Sequence, residues 1–213
     1  MISPTLVIRS NTRLVFIGDS ITDCGRAKSA DRLGDGYVRL IHDYLCARDP
    51  ANSPRVFNEG ISGNKVTDLA ARWQRDVLDN TPDVLSIKIG INDVWHGLGG
   101  GEGVPIDKFI STYRAILQRL KDDRPACRII LCEPTVIWLA HEPSANQILE
   151  PYVQAVRDLA AEFKADAVVP LHGAFLTARK ARPDIDWAPD GIHPSSTGHM
   201  LIARTWLAAT GLL

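Results

Sequence analysis

The chain has 213 residues, 45% of them hydrophobic and 23% charged, and a formal net charge of −1. This is the balance of a folded domain in water and speaks against disorder. With no excess of one sign there is no field to hold nucleic acid, so none is expected as a partner.

Four cysteines, Cys24, Cys46, Cys127 and Cys132, form no C-x-x-C pair and no zinc-ligand spacing, and are read as buried free thiols. Met1 to Asn11 lacks an apolar stretch behind a basic start, and no apolar run is long enough to span a bilayer. The expectation is a cytoplasmic protein with no membrane partner.

In chain order, Leu14 to Ile17 is a β-type run ending in Gly18, and Tyr37 to Leu45 has helical spacing, with Val38, Ile41 and Leu45 on one stripe. Arg55 to Asn58 is a short strand. Thr67 to Leu78 reads as a helix with Thr67 as N-cap. Val84 to Ile89 is a strand ending in Gly90. Ile106 to Leu120 is an amphipathic helix whose apolar face carries Phe109, Ile110, Tyr113, Ile116, Leu117 and Leu120. Arg128 to Cys132 is a strand, Leu149 to Phe163 a helix, Ala167 to Val169 a strand, Leu171 to Ala181 a helix, and Ser196 to Ala209 the closing helix. Glycines 97, 99, 100, 101 and 103 mark a flexible segment, read as a flap, and Trp138 to Ile148 a second long connection.

Strands alternating with helices give βαβ units and a mainly parallel sheet with both faces covered, a three-layer α/β/α sandwich. There is no internal repeat and no Pro/Ser-rich linker, so residues 1–213 are read as one domain. Ligands in such sheets bind beyond the carboxyl ends of the strands. Those ends read Gly18-Asp19-Ser20, Gly60-Ile61-Ser62-Gly63-Asn64 and Gly90-Ile91-Asn92-Asp93. A fourth polar block, Asp190-Gly191-Ile192-His193-Pro194, precedes the last helix and reaches the same rim if that helix packs beside the first strand.

Together these residues suit acyl transfer. A serine hydroxyl, Ser20, needs a base to become a nucleophile. His193 titrates in the right range, and Asp190 on the same turn can hold its tautomer. The backbone N–H groups of Ser20 and Gly63 and the amide of Asn92 are candidate oxyanion donors. Asp19, Tyr37, Trp95 and Trp187 lie near these blocks in sequence and are the candidate substrate contacts, with Trp95 and Trp187 offered as an aromatic platform for sugar rings.

Other readings exist for several of these residues: His193 also fits a surface histidine before a proline, and Trp95 and Trp187 fit core packing. Ser20 also fits a helix N-cap, Asn92 and Asp93 fit turn residues, with Asp93 bonding nearby backbone, and Ser62 is a rival nucleophile. His199 reads as a helix residue. A metal held by Asp19, Asp23, Asp190 and His193 is the weaker reading, because transition-metal sites usually carry more His or Cys. The glycine-rich stretch after Trp95 fits neither the phosphate-loop nor the dinucleotide pattern, so no metal and no cofactor is assigned.

Gly-Asp-Ser after the first strand, the Gly in Gly-Ile-Ser-Gly-Asn, Gly-x-Asn-Asp after the third strand and Asp-x-x-His-Pro near the end resemble the four blocks of the SGNH, or GDSL, hydrolase superfamily. The blocks stand in order from Gly18 to Pro194. The resemblance implies a flavodoxin-like sandwich with about five parallel strands. It implies Ser20 as nucleophile, Gly63 and Asn92 as oxyanion donors, His193 as base and Asp190 as its partner.

A narrower likeness runs through Gly18–Arg26, Gly36-Tyr37-Val38, Gly90–Trp95, His193-Pro194 and Gly198-His199-Met200. These segments are similar to the intracellular acetylxylan esterases. That likeness implies a homo-oligomer that removes acetyl groups from xylo-oligosaccharides. The rival functions are a lysophospholipase or thioesterase of the same superfamily, and a non-catalytic carbohydrate-binding protein.

Overall fold

In the computed structural model, residues 6–213 are described; residues 1–5 of the Met1–Asn11 stretch lie outside the described residues. Five strands, β1 (Arg13–Gly18), β2 (Arg55–Gly60), β3 (Val84–Lys88), β4 (Arg128–Cys132) and β5 (Ala167–Val169), form one sheet in the order β2-β1-β3-β4-β5. All neighbours pair in parallel. This is the expected three-layer α/β/α sandwich. The inner strands β1, β3 and β4 read as nearly continuous apolar runs because helices cover both faces, and β3 is buried along its whole length, whereas the edge strand β2 is only partly buried.

The register sets the site. Gly18 pairs with Gly60 and with Lys88, and Lys88 pairs with Cys132, so four strands end in one row. The chain leaves β1 for β2 on one side and later returns to β3 on the other. The crevice at that reversal, above the end of β1, is where such folds place ligands.

Among the described residues, the helices are α1 (Ser20–Asp23), α2 (Tyr37–Arg48), α3 (Val66–Trp73), α4 (Ile91–Leu98), α5 (Ile106–Asp123), α6 (Ala145–Glu162), α7 (Leu171–Ala181) and α8 (Ser196–Ala209). Phe109, Tyr113, Ile116, Leu117 and Leu120 of α5 are buried as the spacing predicts, while Ile110 is half-buried. The closing helix packs as the rim argument requires: Trp206 of α8 lies 5.5 Å from the Phe16 ring of β1 and donates to Ser86 Oγ of β3.

Several boundaries differ from the sequence reading. Thr67 is not the cap of α3. The helix starts at Val66, whose N–H is taken by Asp93 Oδ1 from a distant segment, while Asp68 Oδ2 reaches back to the Lys65 N–H. A tertiary acceptor has replaced the local one. The predicted Thr67–Leu78 helix also widens into a π turn over Gln74–Leu78. The sequence reading has no helix at α4, although Ile91, Val94, Trp95 and Leu98 are spaced for one. The glycine-rich tract obscured it, and Gly97 lies inside the helix. α6 begins four residues before the predicted Leu149 and continues through Pro151, which removes one backbone donor. The buried-thiol expectation holds for Cys127 and Cys132, while Cys24 and Cys46 are half-buried; all four are free.

Candidate active site

Ser20 follows β1 at the row of strand ends and opens α1. As the first helical residue, it has a backbone N–H with no acceptor within the helix. Asp19 caps that helix by accepting from the Ile21 N–H at 2.9 Å. The cap is therefore Asp19, which leaves the Ser20 hydroxyl unused by the backbone. Its Oγ lies 2.8 Å from His193 Nε2, across 173 positions of sequence.

His193 is held from its other side. Its Nδ1 lies 2.6 Å from Asp190 Oδ2, while Asp190 Oδ1 accepts the backbone N–H groups of Ile192 and His193 at 2.9 and 2.7 Å. Partial burial pushes the Asp190 carboxyl up, but the hydrogen bonds from the His193 ring, the His193 backbone and the Ile192 backbone outweigh it and leave the group below its ordinary range. Asp190 therefore stays ionised at neutral pH. Gly191 is the residue that closes this turn. Its φ is +81°, and an added Cβ would stand 2.7 Å from the Trp138 carbonyl oxygen.

The other two blocks lie on the same rim. Gly63 has φ +80° with open space where a Cβ would stand, so glycine is required by the backbone and not by crowding. The Asn92 side chain is buried and donates one amide hydrogen to the Asn64 carbonyl at 3.0 Å. The rival Ser62 is committed elsewhere: its hydroxyl donates to Asp23 Oδ2 at 2.8 Å, as does its backbone N–H at 3.3 Å. It has no imidazole partner among the described residues.

The substrate-contact expectations need correcting at two positions. Asp19 and Tyr37 are both 0% exposed and present nothing to a ligand. Asp19 Oδ2 faces Lys88 Nζ at 3.7 Å, both side chains wholly buried, and the Tyr37 hydroxyl pairs with Thr22 Oγ1 at 2.9 Å. Both are supports of the turn that carries Ser20. Asp19 belongs to that turn, whereas Tyr37 opens α2 and meets it through Thr22, and neither faces solvent.

Trp95 is half-buried and sets its ring edge-on to His193, 5.9 Å between centroids. Trp187 lines a cleft of about 510 Å³ that it shares with Trp138, His141, Arg179, Asp186 and Asp190. Trp95, Ser20 and Asn92 are not among the cleft's walls. The two tryptophans therefore lie against different parts of the site.

His199 is, as predicted, a helix residue, in α8, and it is also part of the support. Its Nδ1 accepts the Tyr37 N–H at 3.1 Å, and Nε2 faces Cys24 Sγ at 3.4 Å. Burial, together with the charge of Lys88 and the neighbouring His193, pulls its pKa down to about 4, so it remains neutral and keeps that acceptor. Asp93 has the bonding expected of a structural residue, taking the Val66 N–H on Oδ1 and the Val104 N–H on its carbonyl.

Burial pushes the Asp93 carboxyl from 3.8 up to about 7, against the weaker downward pull of the Val66 hydrogen bond. The folded state thus holds a proton that the unfolded chain has lost. Its contribution to stability is full below 3.8 and disappears as pH rises through about 7. Asp93→Asn should remove this dependence. In scanning calorimetry the Tm of the variant should gain on the parent between about pH 5 and about pH 8; Tm curves that stay parallel across that range would rule the titration out.

Sequence reasoning missed Arg72 and Lys88. Lys88 passed as part of an apolar strand. The readable signal was a charged residue at the end of a run otherwise buried on both faces. Arg72 offered only its i,i+4 spacing to Asp76, because its other partners, at Gly18, Glu59 and Asn64, come from other segments.

A serine, an imidazole and a carboxylate hydrogen-bonded in line at the strand ends of a five-stranded parallel sandwich form an arrangement that can carry nucleophilic hydrolysis. The chain belongs to the GDSL-like Lipase/Acylhydrolase family, whose pattern matches residues 16–201. It is 38% identical over 214 residues to an acetylxylan esterase of Geobacillus stearothermophilus, covering 96% of each chain.

The crystal structure of that bacterium's acetylxylan esterase Axe2 superposes with a TM-score of 0.86 at 37% identity, covering 97% of both chains. A structure described as a GDSL-like lipase from Parabacteroides merdae superposes with a TM-score of 0.91 at 37% identity, covering 99% of this chain and 100% of the other. Structures of Axe2 described as catalytic mutants replace an aspartate, a serine and a histidine by alanine.

Proposed function

We propose that this carboxylic ester hydrolase removes acetyl groups from O-acetylated carbohydrates, with xylo-oligosaccharides as the favoured class. The observation that carries the reading is the 2.8 Å approach of Ser20 Oγ to His193 Nε2, in a chain 38% identical to an acetylxylan esterase. Ser20 Oγ attacks the acetyl carbonyl as His193 Nε2 takes its proton, and Asp190 steadies the imidazolium. The Ser20 and Gly63 N–H groups and the second amide hydrogen of Asn92 stabilise the oxyanion, each worth about 2.7–4 kcal/mol in comparable sites. The intermediate collapses to acetyl-Ser20 as the proton passes to the departing sugar oxygen. Water then attacks with His193 as base, releasing acetate and restoring the serine. Trp95, beside His193, and Trp187, in the neighbouring cleft, are the proposed sugar contacts.

The reading takes the chain as one catalytic domain, supported by one sheet and one continuous core of described residues. Four free thiols support a reducing, cytoplasmic setting. No helix among the described residues is long and apolar enough to cross a membrane. A homo-oligomer belongs to the same reading, and sedimentation at working concentration tests it.

The test of function is a substrate panel. Acetylated xylo-oligosaccharides and aryl acetate should be turned over without added cofactor, with kcat/KM falling as the acyl chain lengthens. A preference for long acyl chains would overturn the acetyl assignment in favour of a lysophospholipase or thioesterase.

A further inference from the structure

We propose that Arg72 is a positioning residue for the oxyanion loop, a role that rests on the reading of Gly63 and Asn92 given above. Its guanidinium, nine-tenths buried, reaches four acceptors in four directions. Nη2 donates to the Gly18 carbonyl at 3.0 Å, at the end of the strand that precedes Ser20. Nη1 donates to the Glu59 carbonyl at 2.8 Å, at the end of β2, and to Asp76 Oδ2 at 2.6 Å. Nε donates to Asn64 Oδ1 at 2.7 Å. Asn64 in turn accepts the Asn92 amide on its backbone carbonyl. One side chain thus ties the nucleophile's strand, the strand and loop that carry Gly63, and the residue that orients Asn92.

The charge of Arg72 is answered on its own helical turn. Asp76 sits one turn on, 6% exposed, and Arg75 also bonds it. The local ion pair therefore fixes the guanidinium, and its remaining donors are directed at the catalytic segments. A planar fork with donors on three nitrogens can bridge such acceptors. A lysine ammonium is a point charge on a flexible stem and cannot hold them all in this geometry. The Gly18 carbonyl also accepts the Ile61 N–H at 3.1 Å, so the two ends of the crevice share a single oxygen that Arg72 anchors.

The test is a double-mutant cycle. Arg72→Lys should lower kcat by about 10–100-fold while KM stays within about threefold, the signature of a transition-state group moved by a fraction of an ångström. In the Asn92→Ala background the same change should cost less than about threefold, because the donor it positions is gone. A boronic acid that forms a tetrahedral adduct on serine should lose affinity in proportion to kcat. Asn64→Ala, which keeps the Arg72–Asp76 pair, should reproduce the kcat loss and decides the question if Arg72→Lys fails to fold. Costs that add fully in the cycle, or a loss confined to KM, overturn the positioning role alone. Parental kcat in Asn92→Ala would instead sink the oxyanion assignment on which it rests.

Discussion

Ser20→Ala is expected to lower kcat by roughly 10⁴–10⁶, the range seen when a nucleophile of this type is removed. The hydroxyl is half-buried, 2.8 Å from His193 Nε2, and is not needed as a helix cap, since Asp19 fills that place. The substitution should therefore leave folding nearly untouched, and the circular dichroism and Tm of the variant should match the parent. A fluorophosphonate probe should label the parent and not the variant. Activity within tenfold of the parent would remove Ser20 from the nucleophile's role, and labelling that persists would point to another residue. The same result separates an enzyme from a carbohydrate-binding protein of this fold, since a binding protein would not be labelled at all.

Asp190→Asn should cost about 10⁴ in kcat, through tautomer and not through geometry. One carboxylate oxygen of Asp190 is pinned by two backbone N–H groups, and the other meets His193 Nδ1. An asparagine keeps its carbonyl oxygen on the two backbone donors, which turns its NH₂ toward Nδ1. That nitrogen must then be the acceptor, so the proton sits on Nε2, the atom that the proposed mechanism has receive the serine proton. NMR of the imidazole should report the exchanged tautomer. Rates that fall less than tenfold, with the Nδ1 proton still in place, would show that Asp190 does not control the base.

The order of elements was legible because α/β folds write it in alternating runs. β4 and β5 have the predicted bounds, and β1 is extended by one residue at each end. The candidate site was legible for a related reason. Ser20, Gly63 and Asn92 follow strand ends that the parallel register places in a row, so locating the strands located the residues. Asp19 and Tyr37 defeated the reading because proximity in sequence says nothing about which way a side chain turns. Asp19 points down to Lys88 and Tyr37 into the core. The start of α3 was misplaced because its first N–H is satisfied by Asp93, 27 positions away. Arg72 showed only its i,i+4 spacing to Asp76; its other acceptors are two backbone carbonyls and an amide oxygen of other segments, which no spacing rule encodes.

The Lys88–Asp19 pair has a consequence for how this sequence can drift. Both groups lie in the dry interior beneath the Ser20 turn. Losing either alone strands the opposite charge, a change that typically costs about 3–5 kcal/mol, whereas exchanging both for well-fitting apolar residues is often neutral. The two positions should therefore change hands together across distant descendants of this chain. A lineage that alters one without the other would have to rebuild the floor under the Ser20 turn.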